Sequence, residues 1–197
     1  MKTEKETINK ANDLKRKAEL TRKSRHAASR RLRINNTLSQ ITIAMLSASQ
    51  ISSSISIMIF HSDGEQSKWM NFYIILSSIL TLCYSLIISM GDFSSRSYKM
   101  HECGIELDKI CNRINLEINS NRMCLYAIRD LMNSYHESLL KFENHTQNDY
   151  SEAEYKTNPS LCNFIKMAAR KLIHFSHYFL AMGFAIYTFF KFLPTSN

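Results

Sequence analysis

The chain has 197 residues, a formal net charge of +8, four glycines and two prolines. That length suits one compact unit, and so few breakers favour long helices. Four scattered glycines cannot assemble a Gly-rich phosphate loop, which excludes most nucleotide-binding folds.

Residues 1–12 are polar and expected to fray. From Asp13 a helix is expected to run without a Gly or Pro through a basic stretch and into an apolar one. The basic stretch carries Lys15, Arg16, Lys17, Arg22, Lys23, Arg25, Arg30, Arg31 and Arg33 against Glu19. Positive flanks mark the cytoplasmic side of a span, so residues 1–33 read as a basic cytosolic arm. The arm is too long and too polar for the lead-in of a cleaved signal peptide. Arg22, Lys23, Arg25, Arg30, Arg31 and Arg33 are candidate contacts for anionic lipid or nucleic acid; the plainer reading is a topology marker alone.

Two runs without Asp, Glu, Lys or Arg follow, over residues 34–60 and 69–90. Each is long enough to cross a hydrocarbon core about 30 Å thick as a helix. With only residues 61–68 between them, they read as a transmembrane hairpin over 34–90 whose turn faces outward. On a helical wheel Asn36, Gln40, Ser47, Gln50 and Ser54 share an arc roughly 80° wide. Amides facing lipid are costly, so this arc is either a pore lining shared by several copies or a helix interface. Beside it Ala44, Ala48, Ser52 and Ser56 recur every four residues, as do Ser77, Thr81, Ser85 and Ser89 in the second run. Small residues at this spacing let helix backbones approach, in a hairpin or an oligomer.

Residues 91–171 read as a cytosolic helical region. Cys103, Leu107, Ile110, Ile114 and Ile118 lie on one helical face, and Asn119-Ser120-Asn121 is a candidate break. The pattern resumes at Leu125, Ile128, Met132, Tyr135 and Leu139. Residues 142–158 are polar, end at Asn158-Pro159 and read as a loop. A last uncharged run, 172–190, is preceded by Lys166, Arg170 and Lys171; it reads as a third transmembrane helix, with an interfacial or buried helix as the alternative.

Five cysteines, an odd number without a C-x-x-C pair, are expected to stay reduced. His101 and Cys103 stand two apart and point to different sides of a helix, which argues against a metal site. His145 and Asp149 stand four apart and can pair, but no nucleophile or second carboxylate accompanies them. Neither a cofactor nor an enzymatic activity is expected.

Several segments in this order resemble a known family. They are Arg25-His26-Ala27 and Arg30-Arg31-Leu32-Arg33 before the hairpin, Tyr98-Lys99-Met100-His101-Glu102-Cys103-Gly104-Ile105-Glu106-Leu107 after it, and Glu143-Asn144-His145 with Asp149-Tyr150 further on. Over roughly residues 10 to 158 the chain is similar to the SLATT family of bacterial two-transmembrane effectors. The resemblance implies a membrane effector of anti-phage conflict systems that breaches the inner membrane. With the residue reading, the expectation is an all-α inner-membrane protein, cytoplasmic at its N-terminus by its basic flank, that acts as a homo-oligomer when a partner releases it. It implies as partner a nucleotide-signalling module or, in a subgroup with a longer C-terminal part, a reverse transcriptase with its RNA or DNA. The third apolar run fits that subgroup, which makes a reverse transcriptase with its nucleic acid the favoured partner at this point. His101, Gly104, Glu106, Asn144, His145 and Asp149 are the family-matched positions of the cytosolic part. The alternative function is a non-conducting anchor for a nucleic-acid-synthesising partner.

Overall fold

The computed structural model describes residues 2–60, 65–119 and 125–191, and every element among them is an α-helix. They are α1 (Lys2–Phe60), α2 (Glu65–Gly91), α3 (Phe93–Asn119), α4 (Leu125–Leu140), α5 (Gln147–Thr157) and α6 (Leu161–Lys191). Among the described residues three stretches are long and apolar enough to cross a membrane, within Glu6–Ile59, Ser67–Asn119 and Leu161–Lys191. The chain divides into two compact units: Met1–Arg33 with Ser94–Lys171, and Ile34–Phe93 with Leu172–Asn197.

In the first unit the opening half of α1 packs with α3 and α4. Leu14 and Ala18 meet Cys103, Leu107, Ile110, Cys111, Ile114, Leu131 and Tyr135 in one apolar cluster, flanked by Ile118, Leu139 and Phe142. Burying each Leu or Ile contributes about 1.5–3 kcal/mol. The α3 face is the one its spacing predicts. The α4 face is rotated: Ile128, Leu131, Tyr135 and Ser138 are buried, while Leu125 and Met132 are exposed. Gly104 lets α3 approach α1 closely: a Cβ there would stand 2.5 Å from the His26 ring and force that ring to move.

Two local expectations are corrected. The first twelve residues are helical from Lys2, supported by the exposed Glu6–Lys10 pair one turn apart and by burial of Ala11 and Leu14. Most of the polar 142–158 segment is helix α5 rather than loop. Its start is fixed by Asp149, which accepts from both the backbone N–H and the hydroxyl of Thr146, at 2.9 and 2.7 Å. A short helix that buries only Asp149, Glu152 and Ala153 leaves no apolar periodicity to read.

The second unit gathers the closing half of α1, α2 and most of α6. Leu46, Tyr84, Tyr178, Ala181 and Ala185 form its cluster, and large apolar side chains such as Ile51, Ile75, Leu82 and Leu180 are more than half exposed. Near the start of α2 and the end of α6, Tyr73 stands 6.5 Å from Tyr187, and the Lys191 ammonium lies 5.3 Å from both rings. Such aromatic and cationic groups belong at a membrane interface. Of the predicted turn over 61–68, residues 61–64 lie outside the described residues and Glu65 already begins α2. Residues 120 and 121 of the predicted break are also outside them, and α3 ends at Asn119. Between α2 and α3, Asp92 adopts φ 41°, a left-handed conformation that Asp tolerates better than most residues; it separates the second apolar run from α3.

Candidate functional site

Most buried residues of α1 follow one rule along almost its whole length, with Ser24 and Ala27 buried beside that line. Ala11, Leu14, Ala18, Arg25, Ala28, Leu32, Asn35, Ser39, Thr42, Leu46, Ser49 and Ser53 are all buried, at steps of three and four once half-buried Thr21 is included. A seam of period 3.5 keeps one face toward its neighbours. In the second unit this seam is made chiefly of small polar side chains. Ser39 donates to the Tyr178 hydroxyl at 2.9 Å and Gln50 to Thr81 at 3.2 Å, while Ser77 donates to the Leu46 carbonyl at 3.4 Å. Thr42 and Ser49 return their hydrogens to carbonyls one turn back in α1, those of Leu38 and Leu46. The Asn35 amide oxygen is buried without a hydrogen-bond partner. Ser39, Thr42 and Leu46 are wholly buried and Ser49 and Ser53 are each 2% exposed, so this seam is filled.

The predicted polar arc is the same pattern one residue further on. Asn36, Ser47 and Gln50 are half-buried, and Gln40 and Ser54 are exposed. The predicted small-residue ridges divide as well. Ser77 is buried and Ser52, Ser56 and Thr81 are half-buried, but Ala44, Ala48, Ser85 and Ser89 are exposed. The structure therefore brings Gln50 to Thr81 and Ser77 to α1, and leaves Gln40, Ser54 and the two alanines on the outside of a single chain. The buried Asn35, Ser39, Thr42, Ser49 and Ser53 escaped the sequence reading. Their signal was the three-and-four spacing that begins at Ala11.

The basic arm is largely committed inside the first unit. Arg22 donates to Asp108 at 2.6 Å, and Arg31 clamps both oxygens of Asp149 at 2.9 and 3.1 Å. Arg30, Lys156 and Lys171 converge on Glu152, and Lys23 donates to Thr157 at 3.1 Å. Arg25 is wholly buried, which removes it from any lipid or nucleic-acid surface. Its guanidinium donates to the Glu143 carbonyl, to the Asn144 side-chain oxygen at 3.5 Å and to the Met100 sulfur at 3.6 Å, and its Nε has no partner. Arg33 is exposed. Arg16, Lys17 and Lys23 line a groove of about 340 Å³ with Tyr150, Glu154 and Asn158.

The family-matched positions lie in this first unit. Asn144 meets Arg25, Asp149 meets Arg31, and Gly104 lies under His26, whose ring is 5.6 Å from that of His101. Glu106 accepts from Ser138 at 2.9 Å. His145 stacks on Tyr150 instead of pairing with Asp149, and its buried Nδ1 has no partner. Burial and the neighbouring Arg25 charge hold the His145 pKa below its ordinary value, against the pull of Asp149. For Glu152, burial raises the pKa, but hydrogen bonds from Lys171, Lys156 and Arg30 overcome it and bring the group down to about 2. Among the described residues no three His, Cys, Asp or Glu side chains converge as a metal cage would; Cys103 and Cys111 are buried in the apolar cluster.

Long apolar helices with polar seams and no strand among the described residues define an all-α membrane protein. The model of the SMODS and SLOG-associating 2TM effector domain family 5 matches residues 7–194, and the chain belongs to that family, a SLATT family. The chain is thus a membrane effector of the SLATT type, with three helices among the described residues long and apolar enough to span. No curated protein matches it, and no solved structure does.

Proposed function

We propose that this protein is a non-catalytic effector of a bacterial anti-phage system that permeabilises the inner membrane as a homo-oligomer when a partner activates it. The observation that carries the reading is the outward arc of α1. Gln40 and Ser54 are exposed in a helix stretch that is otherwise apolar enough to span. An amide facing hydrocarbon is costly, and the unit's own seam is already filled, so a second copy or a shared water path supplies its partner. The family's description names association with SMODS and SLOG. That favours a nucleotide-signalling module as the partner; a reverse transcriptase is the second reading, resting on the third long helix.

The test changes Gln40, Ser47 and Gln50 together to Leu. Leu carries no lipid-facing cost, so the protein should still insert. Loss of inner-membrane depolarisation, with oligomer size and partner binding retained, is the expected result. Unchanged depolarisation assigns the arc to packing, and an activated wild type that never leaks leaves the anchor in its place. Orientation is read separately: reporters at Asn121 and after Asn197 should face the cytoplasm and the periplasm. A cytoplasmic C-terminal reporter removes the third span.

A further inference from the structure

One carboxylate in the first unit gathers more positive charge than it neutralises. The Glu152 side chain of α5 is 12% exposed, and Arg30 of α1, Lys156 of α5 and Lys171 of α6 reach it at 2.5, 2.9 and 2.8 Å. Asp149, one turn earlier in α5, is taken by Arg31. Three cations on one anion leave two positive charges uncompensated in a small cluster. Arg170 lies beside them and donates at 2.5 Å to Ser151, the residue before Glu152. All of these residues belong to the same compact unit.

The cations are held in place but not exhausted. The side chains of Arg30, Lys156 and Lys171 are 43%, 47% and 50% exposed. An ammonium carries three N–H donors and a guanidinium five. Glu152 occupies one from each, and the remaining donors have no other partner among the described residues. Place on the chain decides what they take up. Lys171 directly precedes the uncharged run 172–190, and Arg30 stands four residues before the run 34–60, about 6 Å along a helix. The headgroup layer adds about 5–8 Å to each side of the hydrocarbon core. With both runs in the bilayer, both cations stand at the depth of the lipid phosphates.

We propose that the Glu152 cluster is a phosphate site for one anionic phospholipid, whose phosphodiester oxygens accept from Arg30, Lys156 and Lys171 while its acyl chains stay in the hydrocarbon core. Glu152 is the positioning residue: it draws three donors to one spot, where charge-assisted bonds to a phosphate are short and strong. A basic flank that only marks topology needs no such convergence. The excess of positive charge selects a lipid of net negative charge over a zwitterionic one, which brings its own ammonium. The inference goes beyond the proposed permeabilisation and needs neither oligomer nor leak. From that reading it takes only that residues 172–190 enter the bilayer, which the reporter after Asn197 tests by itself.

The test places the full chain in nanodiscs of phosphatidylcholine, with or without phosphatidylglycerol, and identifies the lipid retained on the released protein by native mass spectrometry. Wild type should keep phosphatidylglycerol in preference to phosphatidylcholine. Lys156→Gln and Lys171→Gln should each lower that retention about five-fold. Lys99→Gln, which removes an exposed cation near the start of α3, should leave it unchanged. Glu152 keeps two cations in either cluster variant, and an unchanged melting midpoint in phosphatidylcholine checks the fold. Equal retention of the two lipids by wild type overturns the inference without any variant. Equal losses at positions 99, 156 and 171 also overturn it, because the attraction is then diffuse. Inorganic phosphate bound in phosphatidylcholine discs with the same dependence on Lys156 and Lys171 overturns it in favour of a solution anion, and an RNA oligonucleotide bound in that way overturns it in favour of nucleic acid.

Discussion

Where the first unit buries Leu107, Ile114, Leu131 and Tyr135, the second buries Ser39, Thr42, Ser49, Ser53 and Ser77 and turns Ile51, Ile75 and Leu82 outward. The same helix α1 contributes to both, with one spacing of buried positions throughout. What differs is the solvent that each part is built for. Against water, apolar burial drives packing, and the cations are held by carboxylates at the edge of the cluster. Against lipid there is no such drive, so close approach of small residues and hydrogen bonds between helices hold the unit together. Charge removal should therefore damage the first unit severely and the second very little; removal of single hydroxyls should touch the second mildly.

The largest effect is expected at Asp149, which is 2% exposed, clamped by Arg31 and bound to Thr146 at the start of α5. Asp149→Ala leaves a partly buried guanidinium without its partner and removes the helix cap, a loss of about 3–5 kcal/mol. Helical circular dichroism during denaturation of the detergent-solubilised chain measures it. A loss under about 1 kcal/mol would place the pair with exposed ion pairs and erase the contrast between the units.

Acid should weaken the first unit in two windows. His145 has a folded pKa below its ordinary 6.5, from burial and Arg25. The unfolded chain therefore takes up its proton first, and the stability it contributes is present above pH about 6.5 and falls as the pH drops through its folded value. Glu152 titrates near 4.5 when unfolded and about 2 when folded; its contribution is complete above pH about 4.5 and is lost between there and about 2. Thermal melts of wild type should fall in both windows, His145→Phe should lack the upper drop, and Glu152→Gln the lower. A wild-type midpoint that does not move between pH 7 and 3 contradicts both assignments.

How far the sequence revealed these features depended on the kind of side chain each surface uses. The face of α3 was legible because Leu107, Ile110 and Ile114 mark it with apolar residues. The seam of α1 was not, because Arg25, Asn35, Ser39 and Ser53 look like surface residues, and the eye settles on the larger amides beside them. The arc of Asn36, Gln40, Ser47, Gln50 and Ser54, read as a pore lining or a helix interface, stands one residue from the buried line, which on a helix is a rotation of about 100°. The cationic arm pointed to a membrane flank, but the carboxylates that take up Arg22, Arg30 and Arg31 lie 86 to 122 residues away, and no local pattern announces such partners. Helix α5 hid for a related reason: two of its three buried side chains are acids, Asp149 and Glu152, serving Arg31 and Arg30.

The smallest effect tests the second unit on its own terms. Ser39 is wholly buried and donates to the Tyr178 hydroxyl at 2.9 Å, while Tyr84, 5.7 Å from the Tyr178 ring, donates to the His177 carbonyl at 2.9 Å. If hydrogen bonds between helices hold this unit, the Ser39–Tyr178 coupling in a cycle of Ser39→Ala, Tyr178→Phe and the double variant should be about 0.6 kcal/mol and at most about 1.7 kcal/mol. The value is small because a helix loosened within the membrane finds other partners for its hydroxyls. Ser39→Ala adds no bulk, so the seam should stay closed and the change should leave depolarisation as it was. A coupling of zero would shift the weight to packing alone. A variant that leaks without activation would instead move the water path from the outward arc to this inner seam.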